Sequence, residues 1–209
     1  MASNVSIATR PLVYSTFRYI NNKVWNALAE YIDNSIQSFE DHREELVTLN
    51  RDGKLHVRID IDFTNETITI LDDAYGITEQ NYQRAFELAN LPLDNQGLNE
   101  FGMGMKTAAA WLGNNWSVKT SALDETVERF YNFNLQYVLD NEVRELPYTE
   151  KDCELKSHYT EIRITEPTKN SPGEKSLKKI KNELASIYRQ SLRAKEMELY
   201  VCNEKLVFE

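Results

Sequence analysis

Between positions 55 and 61 every second residue is a branched apolar one, Leu55, Val57, Ile59 and Ile61, and the alternation returns at Ile68 and Ile70. A period of two places those side chains on one face of an extended chain. Thr64 and Asn65 lie between the runs, so the pattern predicts strands over 54–62 and 66–71 joined as a hairpin with one buried face. The segments flanking that hairpin carry a different period. A long helix is predicted over 23–48, stopped by the turn cluster Asn50-Arg51-Asp52-Gly53. After the hairpin, Thr78 reads as the N-cap of a helix to Ala89, with Tyr82, Ala85, Phe86 and Ala89 on its apolar side. Helices interleaved with hairpins give an α+β chain with a mixed or largely antiparallel sheet. The remaining elements are a short helix over 11–21, an irregular glycine-containing stretch at 90–103, and a helix over 104–112. Strands follow at 115–121, 127–139 and 158–165, then a helix over 174–193 and a closing hairpin over 197–208 turned at Asn203-Glu204.

The chain has 209 residues, 41% of them hydrophobic, which is enough for one domain with a sizeable core. A net charge of −9 argues against a surface built mainly to grip nucleic-acid phosphates. The local basic run Lys175, Lys178, Lys179, Lys181, Arg189, Arg193 and Lys195 reads as a solvated helix face. Cys153 and Cys202 have no ligand-like spacing, which excludes a zinc site and points to a reducing compartment. No apolar run approaches membrane-spanning length and the first residues are not a signal peptide, so a cytoplasmic protein (nuclear if eukaryotic) with no membrane association is expected.

Three segments carry chemistry. On a helix turning about 100° per residue, Trp25, Leu28, Ala29, Ile32, Ile36 and Phe39 share one sector, and Asn26, Glu30, Asp33, Asn34 and Gln37 lie opposite. Glu30 and Asn34, four apart, project side by side. Taken alone this is a solvated face. As a site, Asn34 offers a neutral oxygen to Mg²⁺ and Glu30 a base for a water attacking a terminal phosphate. The second segment is Ile70-Leu71-Asp72-Asp73-Ala74-Tyr75-Gly76-Ile77-Thr78, an apolar strand running into two carboxylates and a glycine-bearing turn. A buried carboxylate there can accept a hydrogen bond from an amino group such as that of adenine, although the same residues also make an ordinary turn. The third is Gly97-Leu98-Asn99-Glu100-Phe101-Gly102-Met103-Gly104-Met105-Lys106-Thr107, whose glycines allow close backbone approach ahead of a helix whose N–H groups face an anion. It is not a P-loop, because Met105 separates Gly104 from Lys106 and position 99 is asparagine.

In this order the segments resemble the GHKL ATPases: gyrase B, the MutL mismatch-repair proteins, MORC proteins and the large heat-shock chaperones of that class. Glu30 and Asn34 match the helical Glu and Asn of the first motif, and Asp72 and Gly76 the Asp-x-Gly-x-Gly turn. Gly102 and Gly104 match the glycine lid, and Thr160 the threonine of a later Gly-Thr. The two helical-end motifs most resemble those of MORC-like and MutL-like members. The resemblance implies a Bergerat-type two-layer α/β sandwich that binds ATP with Mg²⁺. Within it Asp72 takes the adenine amine, Ile77 packs the base and Asn34 ligates Mg²⁺. Backbone N–H groups of Phe101, Gly102, Met103, Gly104, Met105 and Lys106 wrap the phosphates, Lys106 adds charge, and Glu30 acts on water.

The chain departs from the pattern in places. Ala74 stands at the second motif's first glycine, which requires a negative φ or a methyl tolerated near the ligand; Asn99 replaces a lid glycine and Tyr159 the glycine before Thr160. The resemblance further implies lid closure, an ATP-dependent homodimer and a following C-terminal domain. On that reading 1–195 is the ATP-binding domain and 196–209 begins the next domain or closes the sheet as a strand pair, so hydrolysis by this chain alone is expected to be weak. DNA is a candidate partner by resemblance only. Two other readings stay open: a nucleotide-gated module with little hydrolysis, and a histidine-kinase-type phosphotransfer domain.

Overall fold

Residues 13–50, 52–86, 104–141, 143 and 145–208 are described by the structure, a computed structural model, with the side chains of 83–86 excepted. The strands are β1 (Leu55–Asp62), β2 (Thr67–Asp72), β3 (Gly113–Ser121), β4 (Val127–Asn134), β5 (Tyr148–Asp152), β6 (Tyr159–Pro167), β7 (Met197–Val201) and β8 (Glu204–Lys205). They form one sheet in the order β5-β4-β3-β6-β2-β1-β7-β8. Among the described residues only the β1–β7 pairing is parallel, so the sheet is mixed and largely antiparallel as expected. The helices are α1 (Val13–Phe17), α2 (Val24–Asp41), α3 (Arg43–Leu49), α4 (Glu79–Phe86), α5 (Gly104–Leu112), α6 (Leu135–Asp140), α7 (Leu177–Ile187) and α8 (Arg189–Ala194). Helices against a mixed sheet make the α+β two-layer sandwich of the Bergerat type.

The alternation read from the sequence is what builds the interface between the layers. Leu55, Val57, Ile59 and Ile70 are buried beneath the helices, whereas Arg58, Asp60 and Asp62 are exposed on the other face. The β1–β2 hairpin turns where expected, because Asp62 Oδ1 accepts the N–H groups of both Thr64 and Asn65 at 2.9 Å. Above the sheet α2 buries Ala27, Leu28, Tyr31, Ile32 and Phe39, each large side chain contributing about 1.5–3 kcal/mol of transfer free energy. Helix α5 is buried on nearly every side, and its Ala108-Ala109-Ala110 run brings its backbone close to α2.

Several boundaries differ from expectation, each for a local reason. The predicted helix 23–48 breaks at His42, whose ring stacks on Tyr75 (3.6 Å between centroids, 16° between planes), and α3 turns away to bury Leu46. The predicted strand 127–139 ends at Asn134, whose side chain caps α6 by accepting the Tyr137 N–H at 2.8 Å. Helix 174–193 is interrupted at Tyr188, a buried residue whose hydroxyl reaches α2. Strand β5 was not foreseen: it is an edge strand exposed at every position and carries no alternation to read. The last hairpin turns at Cys202-Asn203 (φ 49° and 62°), one residue earlier than expected, with β7 inserted beside β1 in the main sheet. The predicted stretch 90–103 and the end of the helix to Ala89 lie outside the described residues. Among the described residues no helix is long and apolar enough to cross a membrane.

Candidate functional site

Helix α2 carries the first half of the site. Glu30 is half-buried, and an added Cβ on Gly104 would fall 2.0 Å from Glu30 Oε2, so this carboxylate lies directly against the first residue of α5. A side chain at position 104 would have to displace this carboxylate from its place. Burial, and then the neighbouring Asp33 carboxylate, raise the Glu30 carboxyl above the ordinary glutamate range. Asp33 is raised by burial as well, opposed by the Tyr188 hydroxyl, which points at Asp33 Oδ1 (2.7 Å) and the Ala29 carbonyl (3.1 Å). One turn on from Glu30, Asn34 Oδ1 is buried and accepts no hydrogen bond among the described residues. An oxygen left in that state costs about 1–3 kcal/mol unless something donates to it or is coordinated by it.

The N-terminus of α5 closes this end. Its first N–H groups have no intrahelical acceptor, and the Tyr31 hydroxyl fixes the turn by donating to the Met105 carbonyl at 3.2 Å. Lys106, expected to meet phosphate by charge, is buried within that first turn, 1% exposed. Met105 packs partly buried against the core. Phe101, Gly102 and Met103 lie outside the described residues.

The second half sits at the end of β2. Asp72 is buried and accepts from Ser35 Oγ (2.7 Å, to Oδ2) and from the Ala74 N–H (3.0 Å, to Oδ1). Burial lifts its carboxyl from the ordinary 3.8 to about 6, and the hydrogen bonds from Ser35, Ala74 and the Thr160 backbone hold it from rising further. Asp73, its neighbour, faces the opposite side of the sheet, where it takes the His56 N–H (2.6 Å) and His56 Nδ1 (2.7 Å). The two adjacent carboxylates therefore serve different faces. Ala74 keeps a negative φ and is buried, so the missing first glycine is accommodated. Gly76 is required: its φ is +85°, and a Cβ there would fall 2.1 Å from the Ser121 carbonyl oxygen.

Ile77 is half-buried and donates its N–H to Thr120 Oγ1 at 2.9 Å. Thr160 pairs in register with Asp72 on one side and Thr120 on the other, with 3.3 Å between the threonine hydroxyls. Tyr159, standing where a glycine was expected, alternates to the other face, where its ring meets Lys119 and leaves the Thr160 side free. A broad groove of about 860 Å³ occupies that other face, lined by His56, Arg58, Tyr159 and Tyr200, and shares only Asp72 with the site.

The structure thus sets Glu30 against Gly104 with Asn34 one turn further along the middle of α2, and Asp72 against the next residue, Ser35, with Gly76, Ile77 and Thr160 grouped around the end of β2. Two residues of the site were not singled out from the sequence. Ser35 is a buried hydroxyl on the apolar side of α2, and Thr120 a fully buried hydroxyl in the inward row Trp116, Val118, Thr120. A lone small hydroxyl interrupting an apolar row was the available signal for both. Chemically, the Glu30 side offers a carboxylate, an amide oxygen with no partner among the described residues and a helix N-terminus, and the Asp72 side a buried carboxylate acceptor.

A family model described as histidine kinase-, DNA gyrase B-, and HSP90-like ATPase matches residues 22–161, which contain α2, the β2 turn, the start of α5 and Thr160. No curated protein matches the chain. With the match extending over roughly two thirds of its length, the chain belongs to the histidine kinase-, DNA gyrase B- and HSP90-like (GHKL) ATPase family, whose shared chemistry is the binding and hydrolysis of ATP.

Proposed function

We propose that this domain binds ATP with Mg²⁺ along α2 and hydrolyses it slowly, with Glu30 taking the proton of the attacking water. The observation that carries the proposal is the Glu30 carboxylate set against Gly104 at a helix N-terminus, one turn from an Asn34 oxygen that has no partner among the described residues. That oxygen fits Mg²⁺, which favours oxygen ligands completed by phosphates and waters. Magnesium bound there would neutralise charge on the phosphate oxygens. Asp72 accepts the adenine amine, Ile77 packs against the base, and Thr160 borders both. The phosphates lie on the N–H groups at the start of α5, with Gly104, Met105 and Lys106 supplying the described part of that cradle and Phe101, Gly102 and Met103 the remainder.

Glu30 must be ionised to act as base, and its raised pKa brings its proton affinity closer to the task. The histidines support hydrolysis over phosphotransfer, since each is engaged: His42 stacks on Tyr75, His56 lies between Asp52 and Asp73, and His158 Nδ1–H donates to the Ala74 carbonyl. The test is ATP binding and turnover with Mg²⁺ and with chelator. Mg²⁺-dependent binding and turnover are expected; binding with no turnover assigns a nucleotide-gated module instead, and no binding overturns the site. The resemblance to MORC-like and MutL-like members extends the proposal to a lid that closes over ATP and to pairing of two copies. Sedimentation of the ATP-loaded Glu30→Ala chain reads that pairing, and a monomer there contradicts it.

A further inference from the structure

We propose that Thr120 sets the hydrogen-bond polarity of the base pocket, making it an all-acceptor site that selects a 6-amino purine over a 6-oxo purine. The inference rests on the reading that a nucleotide base occupies the pocket beside Asp72. The Thr120 hydroxyl is fully buried and has one proton and two lone pairs to place. Its proton goes to the Tyr159 carbonyl at 2.9 Å, an atom that only accepts. One lone pair takes the Ile77 N–H at 2.9 Å. What remains is a lone pair facing Thr160 Oγ1 at 3.3 Å, so Thr160 is the donor in that contact.

The consequence falls on Thr160. Its only proton is turned inward to Thr120, and its lone pairs are what it offers elsewhere. Asp72 stands next to it in register, already receiving Ser35 Oγ and the Ala74 N–H, and its free lone pairs also accept. Two neighbouring acceptors match an exocyclic amine, which brings two N–H donors. A keto oxygen at the same ring position brings none and meets acceptors only, a mismatch that a preformed polar site penalises strongly. Thr120 touches neither group of the base; it is a specificity-determining residue that acts through Thr160 and holds Ile77 in place.

The test is the ratio of dissociation constants for ATP and inosine triphosphate, measured by direct binding for wild type, Thr120→Val and Thr120→Ser. Valine removes the acceptor and frees the Thr160 hydroxyl to donate outward, so the preference for ATP is expected to narrow about tenfold, as one hydrogen bond allows. Serine keeps the polarity and the wild-type ratio. A wild-type ratio in Thr120→Val, or equal narrowing in both variants, overturns the proposal. If Thr120→Val fails to fold, Thr160→Val carries the test, with an unchanged ratio again contrary. Wild type that binds ATP without discriminating against inosine triphosphate refutes the role of Thr120 alone, whereas wild type that binds no ATP refutes the base pocket itself.

Discussion

Replacing Asp72 with asparagine should stabilise the empty domain while abolishing its response to ATP. Burial raises the Asp72 carboxyl from 3.8 to about 6, so the folded state holds a proton that the unfolded state releases between those values. Stability therefore falls as pH rises from about 4 to about 6 and stays low above it. At neutral pH the ionised carboxylate costs about 3 kcal/mol, from a shift of about two units at 1.36 kcal/mol each. Asparagine removes the charge and leaves few groups stranded. Its oxygen still accepts the Ala74 N–H, its amide donates to Ser35 Oγ, and the Ser35 proton turns to the Tyr31 carbonyl, already 2.9 Å away. At about 2–4 °C per kcal/mol for a chain of this size, Asp72→Asn should melt roughly 6–12 °C higher without nucleotide at pH 7. The gap should shrink as pH drops toward 4. The amide also presents N–H groups to the adenine amine, so the ATP-induced rise in melting temperature should vanish. Thermal melts from pH 4 to pH 8, with and without Mg-ATP, read both effects. A variant that melts lower than wild type and still responds to ATP would refute the reasoning.

Two further perturbations separate fold from site. Gly76→Ala forces a positive φ and sets a methyl against the Ser121 backbone, so denaturant unfolding should show a loss of roughly 2–4 kcal/mol, and a loss below about 0.5 kcal/mol contradicts the turn geometry. Asn34→Ala removes an oxygen that has no partner among the described residues, so the empty domain should keep its stability or gain about 1 kcal/mol. The same variant should lose most of the difference in ATP affinity between Mg²⁺ and chelator, read by titration; an undiminished Mg²⁺ effect removes Asn34 from the metal.

Where burial follows a simple period, the sequence was legible. Leu55 to Ile61 alternate and form β1; the sector from Leu28 to Phe39 faces the core and leaves Glu30 against the start of α5. Legibility failed where a long-range contact decided the outcome. The break at His42 depends on Tyr75, more than thirty positions away, and the break at Tyr188 accompanies its bond to Asp33 across the fold. Propensity over a single segment contains neither. Edge strand β5 buries nothing and so leaves no trace of its pairing with β4. Ser35 and Thr120 were hidden because serine and threonine occur in strands and helices for many reasons, and only the packing of α2 on the sheet and the register of β3 and β6 bring their hydroxyls to Asp72 and Thr160. The split of Asp72 and Asp73 to opposite faces follows from strand alternation, but which of the two faces α2 needed the sheet order.

The role of Glu30 is tested most directly by loading wild type and Glu30→Ala with labelled ATP and Mg²⁺ and following the bound nucleotide through one turnover. Conversion to ADP in wild type, with ATP retained at similar affinity and turnover slowed at least about 100-fold in Glu30→Ala, is the expected result. Wild-type turnover should also fall as pH drops through the raised Glu30 pKa, because the protonated carboxyl cannot accept the water's proton. Equal conversion in the two chains would contradict Glu30 as the base.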